Sequence, residues 1–447
     1  MGRPGAVGAN AVSRVAVVGA GPAGLYALEA LLALPEVAGV DVFDALPAPY
    51  GLVRYGVAPD HAKTKSVTRV FDRPFAGDRT RFFGNVRYGR DLHLADLRRH
   101  YAATLFATGA PGDRTLGIPG ERLPGSDSAT RFVAWYSGLP DAPAYRLDAT
   151  ATVLVVGAGN VALDVVRMLA KPAAELAATD VPDAVLARFA TSRVRDVHLV
   201  ARRGPAQAKF SPVELRELGA LPDTDILVDP DDLVLDAGSA ALVESSRPAA
   251  TTVRTVAEWA ARPAGAGTRR VHLHFWTRPV EIRGEAAVDG VVLERRPPGD
   301  AVPRRSTVDA QLVLRAIGYR AHPLPELPFD DDAAVVPHDH GRVAPGVYVA
   351  GWLKRGPSGV IGTNKNDALE TVRTIAADLP TLPPVGSDPR AMPNLLAARG
   401  VHAVDWSGWQ RLSRHESSLG AHRDAPTVKV AELATMLDVC GPAAGHR

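Results

Sequence analysis

"VAVVGAGPAG", Val15 to Gly24, is a β-branched apolar run ending in the spacing G-x-G-x-x-G, set by Gly19, Gly21 and Gly24. "VLVVGAGNVALD", Val153 to Asp164, repeats the device with Gly157, Gly159 and Ala162. In each, a strand feeds a tight glycine turn and then a helix, the arrangement that lets backbone amides at a helix N-terminus approach a pyrophosphate. A single turn of this kind can serve packing alone. Two in strand–turn–helix context predict two nucleotides on an α/β fold with two Rossmann-like units.

Reading outward from the first turn, "PAGLYALEALLAL" carries helical periodicity and "GVDVFDA" is a second strand, so Arg14 to Asp44 is one βαβ unit of about 30 residues. Asp44 stands about 20 residues after the glycines, where the fingerprint puts a ribose-binding carboxylate. In the second unit the return strand "DVHLVARRG" comes late, because a helical stretch, Pro172 to Arg188, is inserted before it. That strand ends in Arg202 and Arg203 instead of an acid. A carboxylate accepts hydrogen bonds from ribose hydroxyls and repels a 2′-phosphate, whereas paired guanidiniums bind one through charge-assisted contacts. Asp44 therefore predicts FAD at the first unit, and Arg202 with Arg203 predicts NADPH at the second. A solvated turn is the commoner fate of an Arg-Arg pair; its place at the end of a nucleotide strand decides for binding.

The 447 residues suffice for two or three domains, and 46% hydrophobic with 22% charged residues is an ordinary globular composition. A formal net charge of +2 gives no global field for a polyanion, so nucleic acid is not an expected partner. Cys440 is the single cysteine, which excludes an intrachain disulfide, a CxxC redox pair and a four-cysteine metal or iron–sulfur site. No metal site is expected. "MGRPGAVGANAV" at the start has no apolar core of signal-peptide length and reads as a flexible tail; no run of about 18 apolar residues suggests membrane insertion. The expected location is the cytoplasm.

Elsewhere, the Pro- and Gly-dense loop "LPAPYGLVRYGVAPDHAKTK" is expected to line a ligand, and "ATLFATGA" is a short buried strand. A boundary is expected near residue 111. The polar, Ala-rich stretch from Pro222 to Arg270 resists assignment, and "RVHLHFW", "PVEIRG" and "GVVLERR" read as an antiparallel meander closing the second unit. "AQLVLRAIGY" and "GVYVAGW" are further buried strands, the latter leading through the glycine-rich "RGPSGVIGTN" into a helix whose dipole suits an anionic flavin. The tail from Pro383 holds one aromatic cluster, "DWSGWQ". His61 and Asp164 are the titratable candidates nearest the two cofactors.

The chain resembles the adrenodoxin reductase family, ferredoxin–NADP⁺ reductases built on the glutathione-reductase type of fold. The strings "GLVRYGVAPDH", "FFGNVRYGRD", "GAGNVALDVVRML", "ARRGPAQAKFSPVELREL", "AIGYR" and "GWLKRGPSGVIGTNKNDALETV" carry the likeness in order over nearly the whole chain. The resemblance implies a discontinuous FAD domain, 1–111 with 322–447, interrupted by an NADPH domain, 112–321. It implies FAD contacts at Ala23, Asp44, Leu52 and Tyr88, with Trp352, Gly359, Val360 and Ile361 beside the flavin ring. NADPH contacts are implied at Gly157 to Asn160, with the neighbouring Val161, at Arg202 and Arg203, at Glu214 and again at Gly359. His61 and Asp164 match the family's proton-handling pair. Three departures stand out: Asp44 replaces the usual Glu, Ala62 replaces a proline, and Pro212 enters a stretch normally without one, which puts the start of the Glu214 helix in question.

Flavin beside nicotinamide implies hydride transfer between them. With one cysteine, a disulfide relay has no place, which leaves oxygen chemistry or release of single electrons to a carrier. The resemblance implies the second: an oxidoreductase passing electrons to a bacterial-type, ferredoxin-like iron–sulfur protein, with a cytochrome P450 as a possible consumer, and the composition is similar to actinobacterial members. The matching docking stretch keeps Arg247, Arg254 and Arg262. A flavin monooxygenase or NADPH oxidase, and a nucleotide sensor without turnover, are the alternatives in other classes.

Overall fold

A computed structural model describes residues 13–263, 265–383, 385 and 388–442; the N-terminal stretch read as a tail lies outside them. Strands β1 (Ser13–Val18), β2 (Val37–Phe43), β3 (Thr80–Phe83) and β4 (Ala103–Phe106) come first. There follow β5 (Ser126–Ser128), β6 (Thr152–Val156), β7 (Asp196–Val200), β8 (Thr224–Val228) and β9 (Arg269–His274). Then come β10 (Thr277–Arg283), β11 (Gly290–Arg295), β12 (Arg304–Val308), β13 (Leu312–Arg315), β14 (Arg342–Ala344) and β15 (Val347–Val349).

Two six-stranded sheets result, ordered β14-β15-β4-β1-β2-β3 and β5-β13-β6-β7-β9-β8. Both are parallel apart from the β14–β15 edge pair. In each the glycine-turn strand sits centrally, which brings the turn and its helix to the carboxyl edge where such sheets bind ligands. The strands are continuous apolar runs because both faces are covered, one face of the second sheet by helices and the other by the meander that brings Ile282, Val291 and Leu293 onto Leu154: Val15, Ala16 and Val17, like Val153, Leu154 and Val155, are fully buried. The second sheet is built from residues lying between β4 and β14, so it interrupts the first. A two-residue antiparallel pairing of Gly112–Asp113 with Tyr319–Arg320 joins the outgoing and returning crossings.

The helices that matter below are α1 (Pro22–Leu32), α2 (Asn160–Ala170), α3 (Pro212–Gly219), α4 (Arg247–Ala260), α5 (Thr363–Asp378) and α6 (Trp406–Ala421). Three readings of the sequence need correction. "RVHLH" is no part of the meander: β9 pairs parallel with β7 and β8, and only β10–β11–β12 is antiparallel. The inserted stretch is two short helices, Ala173–Ala177 and Asp183–Ala190, broken where Pro182 cannot continue a helix. The unassigned region contains β8, α4 and the helix Ala237–Ser245, which Asp236 caps by accepting from the Ser239 amide at 2.6 Å.

The tail is part of the first unit. Trp406 stacks on Phe75 at 3.9 Å, and Trp409 and Cys440 enter the core around β1 and β2. No helix among the described residues is long and apolar enough to cross a membrane.

Candidate functional site

At the first glycine turn, Gly19 adopts φ +111° and a Cβ there would lie 2.4 Å from the Ala107 carbonyl, so only glycine lets β1 turn against β4. A Cβ on Gly24 would fall 2.0 Å from the Gly19 carbonyl, which is why α1 packs so closely on its own strand. Gly21 precedes α1 with no side-chain cap, leaving the first-turn amides to a ligand. Ala23 lies in that turn. Asp44, just past β2, is fixed from both sides: Oδ2 accepts from the Ala20 amide at 2.8 Å and Oδ1 from the Leu46 amide at 2.9 Å. Burial pushes its carboxyl up to about 6 against those bonds. A half-buried carboxylate with lone pairs to spare beside a glycine turn fits a ribose diol.

The flavin-side residues also fit an apolar ring. Leu52 and Val360 are among the few large hydrophobic side chains left exposed, Val360 at 73%. Ile361 packs against the first core, while Trp352 lies 5.0 Å from the Tyr319 ring and donates from Nε1 to the Ser358 carbonyl. Gly359, at φ +79°, stands where a Cβ would strike Thr363 of α5 at 2.6 Å. Tyr88 has its hydroxyl committed to the Pro325 carbonyl at 2.9 Å and its ring against Phe106, so what it offers a cofactor is its ring edge and backbone.

At the second turn Gly157 takes φ +151°, with the Ala316 carbonyl 2.4 Å from a would-be Cβ, and Gly159 faces open space at the start of α2. Asn160 is used structurally: its Oδ1 accepts from the Ser211 amide at 2.8 Å and so ties this turn to the segment leading into α3. Val161 packs against the second core. Arg202 and Arg203 lie just beyond β7, both exposed, and neither guanidinium has a hydrogen bond or ion pair among the described residues. Two uncommitted cations at that strand end fit a phosphate.

Pro212 does not disrupt the Glu214 helix. It occupies the first position of α3, behind a Ser211 cap that accepts from the Glu214 amide at 3.2 Å, the place where a proline costs nothing. Glu214 is thereby aimed at His61.

His61 and Asp164 do come together, with Arg167 between them. His61 Nε2 is 4.0 Å from Asp164, 3.5 Å from Glu214, 2.8 Å from Glu217 and 2.9 Å from Arg167 Nη2. Arg167, 2% exposed, donates to Asp164 at 2.6 Å and to Asp60, which Lys171 also holds at 2.6 Å. Burial opposes ionisation of Asp60, and these cations outweigh it to keep the carboxyl below its usual range. Burial raises Asp164, partly offset by Arg167. Burial, then the Asp164 charge, pushes Glu214 up to about 7, and its Oε2 is buried without a hydrogen-bond partner. Nε2 of His61 faces a carboxylate and a guanidinium at once: protonated it donates to Glu217, unprotonated it accepts from Arg167. The arrangement can hold a proton on Glu214 within 3.5 Å of the His61 ring, at the helix that follows the second glycine turn.

Asp60, Arg167 and Glu217 are not among the residues the sequence singles out. Their signal is spacing: Arg167 lies one turn after Asp164, Glu217 one turn after Glu214, and Asp60 beside His61. Cys440 is buried, its thiol pushed up to about 11 by burial, the opposite of a reactive relay thiol.

Residues 13–204 match the family described as pyridine nucleotide-disulphide oxidoreductase. The NADPH-ferredoxin reductase FprA of Mycobacterium tuberculosis is 39% identical over 452 residues, 95% of this chain and 98% of that protein. The chain belongs to the ferredoxin–NADP reductase family. A second member of that family, the mitochondrial NADPH:adrenodoxin oxidoreductase of Arabidopsis thaliana, is 37% identical over 95% of this chain and 94% of its own length. The solved structure of Mycobacterium tuberculosis FprA in complex with NADPH superposes with a TM-score of 0.89 at 38% identity, covering 96% of this chain and 99% of that one. As a ferredoxin–NADP reductase the protein is an oxidoreductase, with the glutathione-reductase type of fold expected from its sequence.

Proposed function

We propose that the protein takes a hydride from NADPH on the second sheet, passes it to FAD on the first, and releases single electrons to a ferredoxin-type iron–sulfur protein. The observation that carries this reading is the contrast between the two strand ends, a half-buried carboxylate at Asp44 fixed by two backbone amides and two guanidiniums at Arg202 and Arg203 without a partner among the described residues. FAD, when bound, supplies the conversion of a two-electron donor into a one-electron donor.

In this reading residues 1–111 and 322–447 hold FAD and 112–321 hold NADPH. Asp44 accepts from the adenosine ribose, while Gly19, Gly21, Ala23 and Gly24 give the pyrophosphate access to the amides of α1. Leu52, Trp352, Gly359, Val360 and Ile361 cover the flavin ring and exclude water from it, and Tyr88 borders it. Gly157, Gly159, Asn160 and Val161 shape the second pyrophosphate site, and Arg202 and Arg203 take the 2′-phosphate. Glu214, its carboxyl raised to about 7, gains or gives up a proton near neutral pH 3.5 Å from His61 Nε2, while Asp164, through Arg167, holds the cluster's charge in place.

The carrier docks, on this proposal, at a groove of about 600 Å³ between α3 and α4 that is lined by Arg216, Arg247, Arg254 and Arg262. Glu258 lies 3.9 Å from Arg254, and the groove otherwise presents cations to an acidic partner. A cytochrome P450 beyond the carrier and a cytoplasmic setting, where NADPH is supplied, are the outermost parts of the reading. The test is the identity of the flavin. The protein should purify yellow and release FAD on denaturation, and NADPH should bleach it anaerobically; release of FMN, or a colour that NADPH leaves untouched, contradicts the proposal.

A further inference from the structure

The helical insertion that delays the return strand of the second nucleotide unit is broken at 178–182, and this break meets charged groups from both parts of the first unit. Asp180, on that break, is 8% exposed. It accepts from Lys65 Nζ at 2.6 and 2.7 Å and lies 3.0 Å from Lys429 Nζ. Lys65 ends the short helix Ala62–Lys65 that His61 precedes; Lys429 belongs to the C-terminal tail. Lys429, 5% exposed, also donates to the Arg54 carbonyl at 2.8 Å, and Arg54 forms a two-bond buried pair with Glu416 of α6. One turn of chain away, Arg423 donates to the carbonyls of Thr179 and Val181 at 2.8 and 2.7 Å and to Asp183 at 2.6 Å.

These contacts tie two separate cores. Val181 and Leu176 lie in the core of the second sheet, and Val430 and Met436 in that of the first. Arg54 sits two residues from Leu52 in the short helix Leu52–Tyr55, on the flavin side. Glu416 and Lys429 of the tail, with Arg54 and Lys65 of the flavin-side unit, thus form a connected set, linked in part through the Arg54 carbonyl, that meets the nicotinamide-side unit at Asp180. Relative motion of two such units is the default unless something fixes it. Such a pair holds its geometry in one arrangement of the units, because moving them apart breaks several charge-assisted bonds at once.

We propose that Asp180 and Lys429 form a clamp that sets the angle between the two sheets, and so the approach of nicotinamide to flavin, making both positioning residues for hydride transfer. The proposal rests on the cofactor reading above. It gives the insertion and the tail one joint role, which is to lock two nucleotide sites that would otherwise swing.

The test uses the holoenzyme with spin labels on cysteines introduced at exposed Asp78 and Glu244, one on each unit, Cys440 being buried. Asp180→Asn with Lys429→Met removes both charges of the pair together and leaves Lys65, which bonds to both Asp180 oxygens, with an amide oxygen in place of the carboxylate. The parent should give one narrow label-to-label distance and the double variant a broadened or displaced one. Anaerobic flavin bleaching by NADPH should slow at least tenfold in the double variant while FAD content and NADPH Kd stay within about twofold. Should the double variant not fold, Arg423→Gln at the rim of the clamp replaces it, with broadening again expected. An unchanged narrow distance in either folded variant overturns the clamp. A parent that NADPH does not bleach overturns the cofactor reading instead, and the distance measurement then still judges the clamp.

Discussion

Changing Arg202 and Arg203 together to Ala removes two exposed guanidiniums that bond to nothing else among the described residues, so the fold loses no internal contact. What is lost is their interaction with a 2′-phosphate. A hydrogen bond to a charged group contributes about 1.5–3 kcal/mol, and the exposure of both arginines places each at the lower end, about 3 kcal/mol for the pair. At tenfold per about 1.4 kcal/mol, kcat/KM for NADPH should fall about a hundredfold, chiefly through KM. NADH has no 2′-phosphate, so its efficiency should stay about level, and FAD should remain bound because Asp44 lies on the other sheet. Steady-state flavin-dependent reduction of a dye with both nucleotides reads the ratio. A double variant that keeps the parent's preference shows the pair to be a solvated turn; an equal fall with NADH shows that it shapes the site instead of reading the phosphate.

Asp44→Ala should weaken FAD about ten- to a hundredfold by removing the ribose acceptor, visible as colourless protein after dialysis, whereas full retention of flavin would leave the carboxylate no binding role. Glu214 has its carboxyl raised from the usual 4.5 to about 7, so the folded state holds more protons than the unfolded one across that window and loses stability as pH rises through it. Thermal melts of Glu214→Gln should therefore gain on the parent from pH 4.5 to 7, and a gap that does not change with pH contradicts the assignment. Reduction of an acidic ferredoxin should fall with salt, because ions screen over about 8 to 10 Å, and Arg247→Ala with Arg262→Ala should flatten that dependence while flavin bleaching by NADPH stays the same. A salt-independent reduction places docking elsewhere.

What the sequence made legible is what is written locally. The glycine turns, Asp44 and the Arg202–Arg203 pair follow from strand–turn–helix order within about 50 residues, whereas the helix start at Pro212, which the sequence alone leaves in question, is settled by the Ser211 cap. The direction of β9 was not readable, since "RVHLH" has the same apolar alternation whether its neighbours run with or against it; only the pairing with Asp196–Val200 and Thr224–Val228 decides. The Ala237–Ser245 helix lacks an apolar stripe and is held by a cap and by Gln207 donating to Ser239 at 2.6 Å, contacts invisible to periodicity. His61 and Asp164 are legible one at a time, each as a titratable group close in sequence to a ligand-side loop or a glycine turn. Arg167, which stands between them, and Glu217, 2.8 Å from His61, belong to a cluster assembled across two units, and no window of sequence contains it.

The most direct test of the account is anaerobic rapid mixing of the oxidised holoenzyme with NADPH and a low-potential ferredoxin, following flavin and carrier absorbance together. The account predicts that the flavin bleaches first and that about two ferredoxins are then reduced per NADPH consumed, as a two-electron donor feeding a one-electron carrier requires. Bleaching without any carrier reduction, reversed only when oxygen is admitted, would contradict it.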